Sequence, residues 1–130
     1  MADFNLPAGA KARKSEKVTS ANTARAYGSG QIDVYATPAM IGLMEGASLG
    51  AVDPLLPDNF GTVGLKVNVS HLAAALPGAE VTAEAELAAV SGKKLLFKVT
   101  AFAGEKKIGE GTHERYIVNL AEFLARAGQK

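Results

Sequence analysis

Residues 34–52 read VYATPAMIGLMEGASLGAV and carry a single charge, Glu45. Thr37 followed by Pro38 predicts a helix start, with the threonine as N-cap and the proline as first helical residue. A threonine hydroxyl satisfies an orphan amide there, and proline has no amide to satisfy. Met40, Ile41, Leu43, Met44, Ala47 and Leu49 then occupy almost every side of a helix running to about Gly50. A helix apolar nearly all round is enclosed by the rest of the fold rather than laid on its surface. Pro38 and the glycines interrupt the run too often for a membrane span, so no membrane association is expected.

What encloses the helix is read from the segments around it. Asp53–Gly61 (DPLLPDNFG) is a loop by its prolines and turn residues. Val63, Leu65, Val67, Val69 and His71 then alternate onto one face of a strand, which ends before Pro77-Gly78. Val81, Ala83, Ala85, Leu87 and Ala89 give a second strand, with Thr82, Glu84 and Glu86 opposite. Short turns at Ser91-Gly92 and Ala103-Gly104-Glu105 lead into Leu95–Phe102 and Lys107–Val118, which makes an antiparallel meander. Asn119 with Glu122 three residues on predicts a capped C-terminal helix, and Ala12–Ser20 an edge strand. The expected fold is α+β, one domain over residues 1–130, with an antiparallel sheet of about five strands wrapped around the helix.

The chain balances 14 basic against 13 acidic residues and is 48% hydrophobic and 21% charged. That is the make-up of a globular domain with no strong field, which argues against nucleic acid as a partner. With no cysteine there is neither a disulfide nor a thiolate nucleophile or metal ligand. The opening MADFNLPAGAKARK has no apolar signal core, so a cytoplasmic location is expected.

An ionised carboxylate in apolar surroundings is costly unless paired or hydrogen-bonded, which makes Glu45 the first candidate for chemistry. His71 shares its strand face with apolar side chains and should point toward the enclosed helix, so Glu45 and His71 are expected to meet inside one core. An imidazole near such a carboxylate can work as a general base. The Thr37 hydroxyl, with the amides of the helix N-terminus, could hold a carbonyl oxygen or a developing oxyanion. These three groups suit acyl transfer. His113, in GEGTHERY, reads as a polar position on a half-exposed strand, and Gly109 and Gly111 as marks of a bulge or close backbone approach. Lys93 and Lys94 sit at a turn tip as solvated charges. The two histidines and scattered carboxylates lack metal-ligand spacing, so no metal is expected.

The pieces YATPAMIGLMEGAS, TVGLKVNVSHLAAALPG, VTAEAELAAVSGKKLLFKV and IGEGTHERYIV, in this order and spacing, resemble the hot-dog fold acyl-CoA thioesterases of the fluoroacetyl-CoA thioesterase type. The resemblance covers roughly Val34 to Phe123. It implies a curved antiparallel sheet around a long central helix, a catalytic group of Thr37, Glu45 and His71, and substrate contacts at Gly64 and, less directly, Arg115. It also implies a homodimer with active sites at the subunit interface and no cofactor beyond the coenzyme A carried by the acyl-CoA substrate. One stretch departs from the pattern: where the fluoroacetate-specific enzyme has lid phenylalanines, this chain reads Gly28-Ser29-Gly30-Gln31-Ile32. A glycine-rich polar segment cannot form the same apolar gate, which speaks against fluoroacetyl-CoA as the substrate and leaves the thioesterase class intact.

The resulting expectation is hydrolysis of a small or medium acyl-CoA to the free acid and coenzyme A. His71 would move protons, Thr37 position the carbonyl, and Glu45 either orient the histidine or attack the thioester itself. The alternatives are a hot-dog hydratase or dehydratase and a non-catalytic acyl-CoA binding module, since a fold alone does not decide function. Gly42, Gly46 and Ala47 are expected to leave room for the acyl group along the helix.

Overall fold

Strand β3 (Glu80–Ser91) shows why the sheet has two unlike faces. Val81, Ala83, Ala85 and Leu87 are buried, while Thr82, Glu84 and Glu86 between them stay half-exposed. In the computed structural model, which describes residues 4–129, the buried face packs on helix α2 (Thr37–Val52). The sheet is completed by β1 (Lys11–Lys17), β2 (Phe60–His71), β4 (Lys94–Ala103) and β5 (Lys106–Asn119), all antiparallel in the order β1-β3-β4-β5-β2. Gly92 and Gly104 take positive φ in the two tight turns of the meander, a conformation that costs other residues a steric penalty. The sequence does not foretell a single-turn helix, α1 (Ala24–Tyr27), ahead of α2. The observed five-stranded α+β architecture is the one expected, with β1 and β2 as its edges.

Helix α2 buries the side that meets the sheet, with Met40, Leu43, Met44, Ala47 and Val52 all buried, but Gly42, Leu49 and Gly50 lie on an exposed stripe, so it is not enclosed all round as its composition suggests. Gly42 has open space beside it, whereas the other two glycines of the helix lie against β1. Gly46 lies under the stem of Lys14 and Gly50 under the methyl of Ala12, so they let β1 cross the helix closely. Near the same seam the buried Tyr35 donates its phenol O–H to Glu16 of β1, and its amide donates to the Ala75 carbonyl. The helix begins one residue earlier than the sequence predicts. Ala36, with extended backbone, is the N-cap, and its carbonyl accepts the first helical bond from the Met40 amide. Thr37 is therefore helical, and its hydroxyl is not spent on capping.

Strand β2 also departs from simple alternation. A bulge at Leu65 shifts the register between Gly64 and Lys66. Residues directly opposite across an antiparallel ladder share a face, and an extra residue reverses parity. Val63 thus pairs with Tyr116 on the outer face, whereas Val67, Val69 and His71 pair with His113, Gly111 and Gly109 on the inner one. A second shift between Leu87 and Ala89 puts Ala89 outside. The two glycines of β5 are places of close approach, as read: a Cβ at Gly111 would collide with the Asn68 carbonyl, and one at Gly109 with the Met40 sulfur. Helix α3 (Leu120–Ala127) closes the chain, with Asn119 Oδ1 accepting from the Glu122 amide at 3.0 Å.

Candidate active site

Two clusters of polar side chains form on the inner face, one at the start of α2 and one two turns further along it. At the first, the freed Thr37 hydroxyl lies 2.7 Å from Nδ1 of His71, the last residue of β2. His71 Nε2 is buried and has no hydrogen-bond partner among the described residues. Burial pushes this imidazole below its ordinary 6.5, against a smaller upward pull from the Ala73 backbone, and so favours its neutral form. A cleft of about 330 Å³ opens beside the pair, walled in part by the small side chains of Ala24, Ser29 and Val34. A larger cleft, about 460 Å³, lies on the outer sheet face among Lys11, Arg13, Glu84 and Lys98, away from these groups.

The second cluster surrounds Glu45. Its side chain is 41% exposed, with Oε2 at 4.0 Å from both Nε2 of His113 and Nη1 of Arg115. Gly64 on β2 lies against the same oxygen: a Cβ there would be 2.9 Å from it. Among the described residues Glu45 makes neither hydrogen bond nor ion pair with His71, so the expected meeting of the two within one chain does not occur. The reason is position on the helix. His71 ends β2 beside the first turn of α2, whereas Glu45 emerges two turns later over Gly64 and the middle of β5.

His113 is not the half-exposed polar residue that the sequence suggests; it is 1% exposed. Its Nδ1 donates to the Lys66 carbonyl at 2.9 Å, and its Nε2 accepts from Arg115 Nη1 at 3.1 Å. Both ring nitrogens are thereby used by the neutral form, so its approach to Glu45 is not an ion pair. Burial is also the main influence pushing His113 below its usual value.

Arg115 is itself buried. Its Nε donates to Thr62 Oγ1 at 2.7 Å and its Nη2 to the Thr62 carbonyl at 2.9 Å. Thr62 in turn donates its hydroxyl to Asp53 Oδ1 at 2.6 Å and its amide to Oδ2 at 3.2 Å. Burial lowers the Arg115 guanidinium from its ordinary value, and the carboxylates of Asp53 and Glu45 oppose that loss.

The sequence reading missed His113, Thr62 and Asp53 as parts of this assembly. A signal existed for the first. Gly109, Gly111, His113, Arg115 and Ile117 form one alternating face, and buried Ile117 fixes that face as the inner one. Asp53 carried no such mark, because its role depends on where β2 returns past the end of α2. No group of three or more metal-ligating side chains occurs among the described residues.

Together the clusters supply a neutral imidazole with one free nitrogen, a hydroxyl beside it, and a carboxylate backed by a fixed guanidinium. The family described as fluoroacetyl-CoA-specific thioesterase matches residues 18–121 of this sequence. A fluoroacetyl-CoA thioesterase of Streptantibioticus cattleyicolor is 44% identical over 98 residues, which are 75% of this chain and 70% of that protein. Among solved structures, one of the fluoroacetyl-CoA thioesterase superposes with a TM-score of 0.90 at 36% identity, covering 97% of this chain and 98% of the other. A thioesterase superfamily member from Thermus thermophilus superposes at 0.86 with 31% identity, over 94% and 90% of the two chains.

Proposed function

The chain belongs to the fluoroacetyl-CoA-specific thioesterase family and is a hot-dog acyl-CoA thioesterase that hydrolyses a small acyl-CoA, and on that premise we propose how its residues share the reaction. His71 donates a hydrogen bond from Nδ1–H to Thr37 Oγ1, which leaves the Nε2 lone pair as the base. Thr37, accepting from His71, turns its own O–H to the thioester carbonyl oxygen. A water attacks the carbonyl carbon as Nε2 takes its proton. The C–S bond then breaks, and the proton on Nε2 passes to the departing sulfur. The products are the acid and the coenzyme A thiol. Coenzyme A enters as part of the substrate, and the chemistry draws on no other cofactor. The observation that carries this reading is the 2.7 Å contact between Thr37 and His71 with Nε2 left unpartnered.

Glu45 completes the site from a second subunit. Strand β2 is a sheet edge, and its Leu65 and Val67 are exposed, an arrangement that supports pairing with its own copy. An antiparallel pairing with the two-fold axis through Asn68, the Leu65 bulge taking up one residue, sets His71 opposite Gly64 of the partner subunit. The partner subunit's Glu45, which lies over that glycine, then faces the His71 imidazole and stabilises its charged form. The acyl group occupies the cleft beside Thr37, covered by an exposed Gly28–Ile32 segment without aromatic side chains. We place the reaction in the cytoplasm, in keeping with the absence of cysteine.

Free-thiol release from a panel of short, branched and aromatic acyl-CoA thioesters tests this assignment. His71→Ala should lower turnover by at least about a hundredfold. Unchanged turnover in a folded His71→Ala protein would remove His71 from the mechanism.

A further inference from the structure

The buried side of the Glu45 cluster carries a device that the hydrolysis scheme does not use. Arg115 has three nitrogens available, and each is directed by a different constraint. Nε and Nη2 are committed to Thr62, which is tied to Asp53 at the end of α2. Nη1 is committed to His113 Nε2. That acceptor exists only in the Nδ1–H tautomer, and the Lys66 carbonyl enforces that tautomer by taking the Nδ1 proton. Lys66 is the residue at which the ladder resumes after the β2 bulge, so the bulge directs the carbonyl. Phe97, the neighbour of His113 on β4, stacks on the imidazole with ring centroids 6.4 Å apart.

We propose that His113 is a positioning residue for Glu45. With Thr62 holding Nε and Nη2, His113 adds the third anchor by accepting from Nη1, and the edge so presented faces the Glu45 carboxylate at 4.0 Å. The guanidinium cannot swing toward solvent or turn both Nη atoms inward while His113 holds one of them. The carboxylate thus meets a charge of fixed direction over Gly64, where the partner subunit's His71 arrives. This role presupposes that Glu45 works in thioester hydrolysis, as proposed above.

His113→Phe retains a planar ring against Phe97 and removes both hydrogen bonds. It should lower kcat by about ten- to hundredfold with little change in KM. His113→Gln, whose amide oxygen can accept from Arg115, should recover most of that loss, and thermal melts of both variants separate lost positioning from a failed fold. In a Glu45→Ala background His113→Phe should cost nothing further, because the group it serves is gone. Wild-type kcat in His113→Phe, or the full loss repeated in the Glu45→Ala background, would overturn the proposal. A readout independent of turnover is the guanidinium ¹⁵N–¹H spectrum: the Arg115 Nη1 signals should shift and exchange faster with solvent in His113→Phe, while Nη2 stays held by Thr62. An unchanged spectrum overturns the proposal. That change in a protein that hydrolyses no thioester would instead sink the hydrolysis scheme and leave the positioning of Arg115 by His113 standing.

Discussion

Gly64 makes room where any side chain would intrude. A Cβ there would sit 2.9 Å from Glu45 Oε2, 3.4 Å from His113 Cε1 and 3.7 Å from Arg115 Nη1. The carboxylate end of Glu45 is the movable partner, so Gly64→Ala should displace the charge and leave the fold nearly as stable. A displacement of about an ångström can cost up to roughly a hundredfold in rate. Gly64→Ala is therefore expected to lower kcat by about ten- to hundredfold with a melting temperature close to wild type; turnover measured beside a thermal melt checks both. Glu45, His71 and Thr37 were legible as unusual residues because each breaks a pattern around it. Their partners were not. Contact with Arg115 and His113 depends on the phase of α2 against β5, and a one-dimensional pattern does not hold that quantity.

At the scale of elements, the bulge at Leu65 decides which way half of β2 faces. The segment VNVSH alternates without a break, so the strand and its period were readable. The parity reversal was not, because an inserted residue changes the relation between two well-formed halves and leaves each half unaltered. Deleting Leu65 would restore strict alternation and force one half to turn over. Either His71 leaves Thr37, or Thr62 and Gly64 leave Arg115 and Glu45. The deletion should thus abolish measurable thioester turnover and lower the melting temperature, which an activity assay and a circular-dichroism melt can follow. The start of α2 teaches the same lesson on a smaller scale. Threonine before proline is a sound helix-start signal, yet a shift of one residue converts a capping hydroxyl into one available to His71.

For the whole molecule, the central helix and the meander were readable because burial of one side imposes a period and a parity on their apolar residues. The assembly was beyond such reading, since an edge strand looks alike whether water or a second copy covers it. The separation of Glu45 from His71 inside one chain makes the assembly testable. On the proposed shared site, co-expression of Glu45→Ala and His71→Ala chains should yield mixed dimers with one wild-type site and both lesions gathered in the other. Random pairing should return about a quarter of wild-type activity from two inactive parents. Complete inactivity of purified mixed dimers would place all three residues in one subunit.

The link between Tyr35 and Glu16 has a consequence of a different kind. Burial first, and then the neighbouring carboxylate, raise the Tyr35 phenol well above its ordinary 10. The chain has no tryptophan, so its near-ultraviolet absorbance belongs largely to three tyrosines. Above about pH 10, Tyr35 keeps its proton for as long as β1 stays laced to the entry of α2 and yields tyrosinate absorbance when that seam parts. The protein thus carries its own unlabelled optical gauge of whether the sheet is still closed around its helix.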